Sequence, residues 1–136
     1  IPSDEDKIVQ QAMKMVLEPI FEGVFKNTSH GYGFGKGCHT ALNDIKTKFR
    51  YSSWFIQGDI SNCFATVDQS ILIKIIKEKI DDQAFIDLLH KSFKAGYTVT
   101  HERLLRDQKG IQQGSILSPL LYNIYLNKYN IFSFIL

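Results

Sequence analysis

An acidic side chain directly after an aromatic, β-branched run is the feature of this sequence best suited to chemistry: Asp59 follows Trp54-Phe55-Ile56 by way of Gln57-Gly58. A carboxylate at the exit of a buried strand is costly to leave unpaired, so it takes a cation, a helix cap or water. A turn carboxylate that accepts hydrogen bonds from the next amides is the competing reading. The second candidate is Gly31-Tyr32-Gly33-Phe34-Gly35-Lys36-Gly37, whose alternate glycines could turn backbone amides, with Lys36, toward a phosphate. It fits neither phosphate template. Lys36 or Cys38 stands where GxGxxG needs its third glycine, and His30 where GxxxxGK[ST] needs its first. A flexible turn between helices accounts for the same residues. His30, His39, His90 and His101 lack metal-ligand spacing and are assigned to surface or packing. Cys38 and Cys63 form no CxxC pair, so both are read as reduced, partly buried thiols in a reducing interior. Lys74, Lys77, Lys79, Lys91 and Lys94 could line an RNA surface or be solvated helix faces.

These residues need a scaffold, and the composition supplies one. With 136 residues, 44% hydrophobic and 22% charged, the chain can bury a core as one domain or part of one. Disulfide scaffolds, collagen repeats and disordered tails are excluded. A net charge of +2 does not by itself establish a nucleic-acid partner. Ser3 and Asp6 stand at capping-box spacing before a helix with Ile8, Ala12, Met15 and Val16 recurring along it, ended or bent at Pro19. A second helix is expected over 38–49, with Ala41, Leu42, Ile45 and Phe49 on one face. A short strand over 54–56 leads to Asp59. Asp68 caps a third helix carrying Ile71, Leu72, Ile75 and Ile76, and a fourth, about 83–93, follows Asp81-Asp82. Residues 97–100 and 103–105 suggest a β-hairpin, and Ser118-Pro119 opens the last helix with a hydroxyl cap. The expected organisation is one α+β unit. The apolar stretch 117–136 is broken by Pro119, Asn123, Asn127, Lys128 and Asn130, so no membrane span is read. Thirteen Lys against three Arg fits AT-rich coding, as in organelles and some bacteria. The opening Ile1 carries no leader-like segment and is expected to lie inside a longer protein.

Three ordered blocks then become informative together. They are Ile1-Pro2 with Asp6-Lys7-Ile8-Val9-Gln10-Gln11-Ala12 and Leu17-Glu18-Pro19-Ile20-Phe21-Glu22; Gly58-Asp59-Ile60-Ser61-Asn62-Cys63-Phe64; and Gln113-Gly114-Ser115-Ile116-Leu117-Ser118-Pro119-Leu120-Leu121-Tyr122-Asn123-Ile124-Tyr125-Leu126. Ser29-His30-Gly31 and Gly37-Cys38-His39-Thr40-Ala41-Leu42 match as well. Over nearly its whole length the chain resembles the reverse transcriptase domain of group II intron-encoded proteins, the maturase/reverse transcriptases.

The resemblance implies a right-hand polymerase fragment with a small antiparallel sheet packed by helices, fingers over about 1–50 and palm over about 51–136. It implies RNA-directed DNA synthesis in intron mobility and splicing, with group II intron RNA, a DNA primer or target and deoxynucleoside triphosphates as partners. Asp59 matches the first palm aspartate and, with the backbone carbonyl of Ile60, would ligate metal. Two magnesium ions would lower the barrier for a primer 3′ hydroxyl attacking the α-phosphate. Phe64 corresponds to the ring that excludes a 2′ hydroxyl, Gln113 and Gly114 to the loop beneath the incoming base pair, and Lys36 to a basic finger position near phosphate or template. The implied location is a mitochondrion rather than a chloroplast, with bacterial cytoplasm as the alternative.

The departures define a second reading. Where the family commonly has Phe-Arg-Pro-Gly-Arg, this chain has Tyr32-Gly33-Phe34-Gly35-Lys36; its usual aspartate after Phe64 is Ala65, and its usual proline before Gln113 is Gln112. No Tyr-Ala-Asp-Asp occurs in the residues given, and Asp81-Asp82 precedes Gln113 and starts a helix instead. These residues by themselves are therefore expected to be inactive, with polymerase activity belonging to a full-length parent. The alternatives are a non-catalytic maturase-type module that binds intron RNA, or a decayed fragment.

Overall fold

Ser3 opens the first helix as its spacing predicts. Its hydroxyl accepts the Asp6 N–H at 3.2 Å and its own N–H donates to Asp6 Oδ2 at 3.3 Å, fixing the N-terminus of α1 (Asp4–Glu22). The computed structural model describes residues 3–54, 56–94, 97–99, 103–105 and 109–129. Pro19 does not end α1, which runs on to Glu22. Burial of Leu17 and Phe21 on either side offsets the roughly 3 kcal/mol an interior proline costs.

The expected apolar stripe of α1 is not the one buried. Gln10, Met13, Leu17 and Phe21 face the core, whereas Ile8 and Met15 are 71% and 65% exposed. Both stripes have helical spacing on opposite sides, and Gln10, a polar residue, marks the buried one. In α2 (Cys38–Lys48) only Ala41 is buried; Leu42, Ile45 and Phe49 remain exposed.

Asp68 caps α3 (Gln69–Lys77) by accepting the Ser70 and Ile71 N–H groups at 2.9 and 3.1 Å. Asp82 does the same for α4 (Gln83–Lys94), accepting the Phe85 N–H at 3.0 Å. The expected hydroxyl cap of α5 (Ser118–Tyr129) is replaced: Ser115 Oγ accepts the Leu117 N–H at 3.2 Å, and Ser118 donates instead to the Gln112 carbonyl at 2.5 Å. Helix α5 lies between α1 and α3, with α4 behind α3. Leu120, Leu121, Ile124, Leu72, Ile76, Ile86, Leu89, Leu17 and Val67 fill the space between them.

The expectation of an α+β unit with a small antiparallel sheet packed by helices is corrected. The described residues are helical, and extended pairing is limited to three-residue strands β1 (Tyr97–Val99) and β2 (Arg103–Leu105) and one bridge from Asp68 to Lys109. Among the described residues no helix is seen against the β1–β2 pair. Of the strand expected before Asp59, Phe55 lies outside the described residues, and Trp54 and Ile56 on either side of it are exposed and belong to no strand. A strand is stable only when its amides and carbonyls find a ladder partner, which residue type cannot supply. Phe55, His101 and residues 130–136 lie outside the described residues.

Candidate functional site

The chain after Asp59 turns sharply. Asn62 adopts a positive φ of 51°, and its carbonyl accepts the N–H groups of Ala65 and Thr66 at 2.9 and 3.1 Å, so residues 61–66 form compact turns. This half-buries Cys63 and Phe64 while Asp59 stays exposed and Ile60 is half-buried.

A second segment then docks on the first. Ile111 N–H donates to the Phe64 carbonyl at 2.9 Å and Gly110 N–H to the Val67 carbonyl at 2.7 Å, with Gln69 Nε2 on the Gly110 carbonyl at 2.7 Å. Gly110 is required here: its φ is +88°, and a Cβ would lie 3.0 Å from the Ala65 carbonyl oxygen. The pairing aligns the run into Gln113 beside Phe64. Gln113 and Gly114 themselves form an exposed turn, Gly114 at φ +82°.

From α5, Tyr122 packs its ring against Phe64, centroids 5.2 Å apart and planes tilted by 46°. Burial pushes the Tyr122 hydroxyl up to about 12, helped by the Cys63 thiol beside it and by the negative charge of Asp59. Asp59, Cys63, Phe64 and Tyr122 thus share one neighbourhood. Nothing in the spacing of the sequence singled out Tyr122; its only signal is its place in the block that follows Gln113.

Lys36 makes its own contacts within the glycine loop and the turn before it. Its ammonium donates to the Lys26 carbonyl at 3.1 Å, and its stem lies over Gly33. The glycine loop carrying it is braced at both ends. Thr40 Oγ1 accepts the Gly37 N–H at 2.9 Å, and Asn123 Nδ2 donates to the Gly31 carbonyl at 2.6 Å. His30, buried at 5% exposure, sets Nδ1 2.9 Å from Thr40 Oγ1 and Nε2 3.5 Å from Asp44 Oδ2. The hydrogen bond from Lys48 holds the Asp44 carboxyl below the usual carboxylate range.

The metal expectation meets a plain test of donors. Hard divalent ions require several oxygen ligands. Among the described residues no three His, Cys, Asp or Glu side chains gather to hold one, so Asp59 with the Ile60 carbonyl is at most part of such a site. No step can be assigned to a metal held by these residues alone. No helix among the described residues is long and apolar enough to cross a membrane.

Comparison with known proteins gives the family. A profile of the reverse transcriptase (RNA-dependent DNA polymerase) family matches residues 1–130. Over 128 residues, 94% of this chain, it is 45% identical to an uncharacterized 91 kDa protein in the cob intron of Schizosaccharomyces pombe, covering 16% of that protein. Over the same span it is 44% identical to the group II intron-encoded protein LtrA of Lactococcus lactis subsp. cremoris, covering 21%. Over 93 residues, 68% of the chain, it is 31% identical to nuclear intron maturase 1, mitochondrial, of Arabidopsis thaliana, covering 13%. The chain therefore spans no more than about a fifth of these curated relatives. It belongs to the reverse transcriptase family, as a reverse transcriptase domain homologous to group II intron-encoded proteins and maturases.

Proposed function

We propose that these residues are the fingers (about 1–50) and part of the palm (about 51–136) of an RNA-directed DNA polymerase encoded by a group II intron, acting in intron mobility and splicing. The observation that supports this reading is the convergence on α5: Phe64, five residues after Asp59, packs on Tyr122, and the run into Gln113 is bonded to the Phe64 backbone. In this reading the half-buried Phe64 ring lies against the sugar of the incoming deoxynucleotide and excludes a 2′ hydroxyl. The exposed Gln113-Gly114 turn supports the nascent base pair, and Lys36 meets phosphate after leaving the Lys26 carbonyl. Reverse transcriptase domains as a class use divalent ions. Magnesium is the ion proposed here, with Asp59 and the Ile60 carbonyl as two of its ligand atoms and further carboxylates from the rest of a longer protein. The group supplies charge neutralisation at the transferring phosphate.

The proposed partners are intron RNA, a DNA primer or target, and deoxynucleoside triphosphates. The relatives include mitochondrial and bacterial proteins; a mitochondrial location is the finer proposal, on the lysine-rich composition. The test is primer extension on an RNA template by the full-length parent with magnesium. Extension is expected, and Asp59→Ala abolishes it without unfolding the protein, because the side chain is exposed. Undiminished extension by that variant would remove Asp59 from the chemistry. A parent that binds intron RNA yet extends no primer would instead establish the non-catalytic maturase reading, to which the altered 32–36 loop points.

A further inference from the structure

Helix α5 carries more of the proposed site than its own side chains. Three positions within six residues each hold a different loop. Ser118 donates to the Gln112 carbonyl at 2.5 Å, Tyr122 supports the Phe64 ring at 5.2 Å, and Asn123 donates to the Gly31 carbonyl at 2.6 Å. Ser118 and Asn123 are five residues apart, hence about 7.5 Å along the axis and about 140° around it. The rigid helix therefore stands between the glycine loop and the Gln113 turn and sets the distance between them.

Asn123 is the unexpected member. It is 6% exposed, followed by buried Ile124, and at such a site an amide is costly unless its hydrogen bonds are made. Its partner is a backbone carbonyl 92 residues earlier in the chain. The loop it holds has one internal brace, Lys36 N–H donating to the Gly33 carbonyl at 3.1 Å, and is tied to the end of α1 by Phe34 N–H on Glu22 Oε1 at 3.2 Å. Gly31 lies five residues before Lys36 at the start of this loop.

We infer that Asn123 is a positioning residue for the nucleotide: by holding the Gly31 carbonyl it fixes the glycine loop, and with it Lys36, at a set distance from the Gln113 turn. This rests on the polymerase reading and deepens it. The experiment is steady-state primer extension on RNA by the full-length parent, comparing Asn123→Leu, which keeps bulk and loses the donor, with Asn123→Gln, which keeps a donor on a longer arm. Asn123→Leu is expected to raise KM for the deoxynucleotide about fivefold with kcat within about twofold, and Asn123→Gln to recover part of that loss. In a Lys36→Ala background, Asn123→Leu is expected to add less than about twofold, because the residue it places is already gone.

Independent, multiplicative effects of the two substitutions, or a fall in kcat at constant KM, would overturn the inference and leave Asn123 a structural amide. If Lys36→Ala raises KM and Asn123→Leu does not, this inference alone fails. If Lys36→Ala changes nothing, the proposed phosphate contact fails and takes this inference with it. A parent that extends no primer refutes the polymerase reading itself.

Discussion

Helix α5 and the stretch from Leu42 to Ile56 each carry several large apolar side chains, yet those of one are at the centre of the molecule and the described ones of the other lie open. Leu120, Leu121, Ile124 and Leu126 of α5 are buried, whereas Trp54 and Ile56 are 92% and 99% exposed, and Leu42, Ile45, Phe49 and Tyr51 are exposed as well. Hydrophobic character alone does not decide burial; a complementary surface does. Helix α5 has α1 on one side and α3 on another, while the open stretch needs a ladder or a packed face that the described residues do not offer. The site straddles this divide. Phe64 and the run into Gln113 are bonded to the packed side, and Asp59 stands at the end of the bare one.

The sharpest way to break that comparison is to remove side-chain bulk from each region. Leu121→Ala is expected to cost about 3 kcal/mol in denaturant unfolding, through lost burial and a cavity between helices. Trp54→Ser, although it deletes a larger side chain, is expected to stay within about 0.5 kcal/mol. Equal losses would mean that the open stretch is packed in solution and that the division is false.

Backbone substitutions test the joint between Phe64 and Gln113. Gly110→Ala places a methyl group 3.0 Å from the Ala65 carbonyl oxygen and 3.1 Å from its Cα at a φ of +88°, so backbone must move; about 2 kcal/mol is expected. Gly35→Ala, at φ +66° with open space around it, carries only the conformational cost of about 1 kcal/mol. Unfolding of both variants would show whether the paired segment or the loop is the more tightly specified. A smaller loss at Gly110 would mean that the pairing yields easily.

What could be read in the sequence follows the same divide. Local chemistry was legible: the Ser3–Asp6 box, the Asp68 cap and the start of α5 at Ser118 form near where residue type and spacing put them. The antiparallel pairing expected of residues 97–100 and 103–105 sets Tyr97 against Leu105 and Val99 against Arg103. Choices that depend on distant partners were not. Helix α1 has two apolar stripes, and only the arrival of α5 selects Met13 and Leu17 over Ile8 and Met15. The strand before Asp59 needed a neighbour that composition cannot guarantee. In the site, the ordered blocks brought Asp59, Ile60, Phe64, Gln113 and Gly114 to notice and the glycine loop Lys36, whereas Tyr122 and Asn123 stood in a block without a role, their contacts lying 58 and 92 residues away in sequence.

The smallest expected effect asks whether Asp59, on the bare side, is nevertheless held near the packed one. Tyr122 keeps its proton up to about pH 12 in the fold, against an ordinary value of 10.0, with burial as the main cause and Cys63 and Asp59 adding to it. The unfolded chain gives up that proton first, so this contribution to stability is complete below pH 10, declines between pH 10 and about 12, and is constant above. Its size is about 1 kcal/mol once solvent screening of a half-buried ring is allowed for. Tyr122→Phe should remove that part of the alkaline decline in denaturant unfolding while keeping the packing on Phe64. Asp59→Asn should lower the midpoint of tyrosinate absorbance slightly, since one of the charges opposing ionisation is gone. If Asp59→Asn leaves the midpoint where it was while Tyr122→Phe flattens the decline, burial and Cys63 set the hydroxyl without Asp59. The carboxylate then moves freely of α5, and its placement beside Phe64 has to come from whatever pairs with residues 54–58.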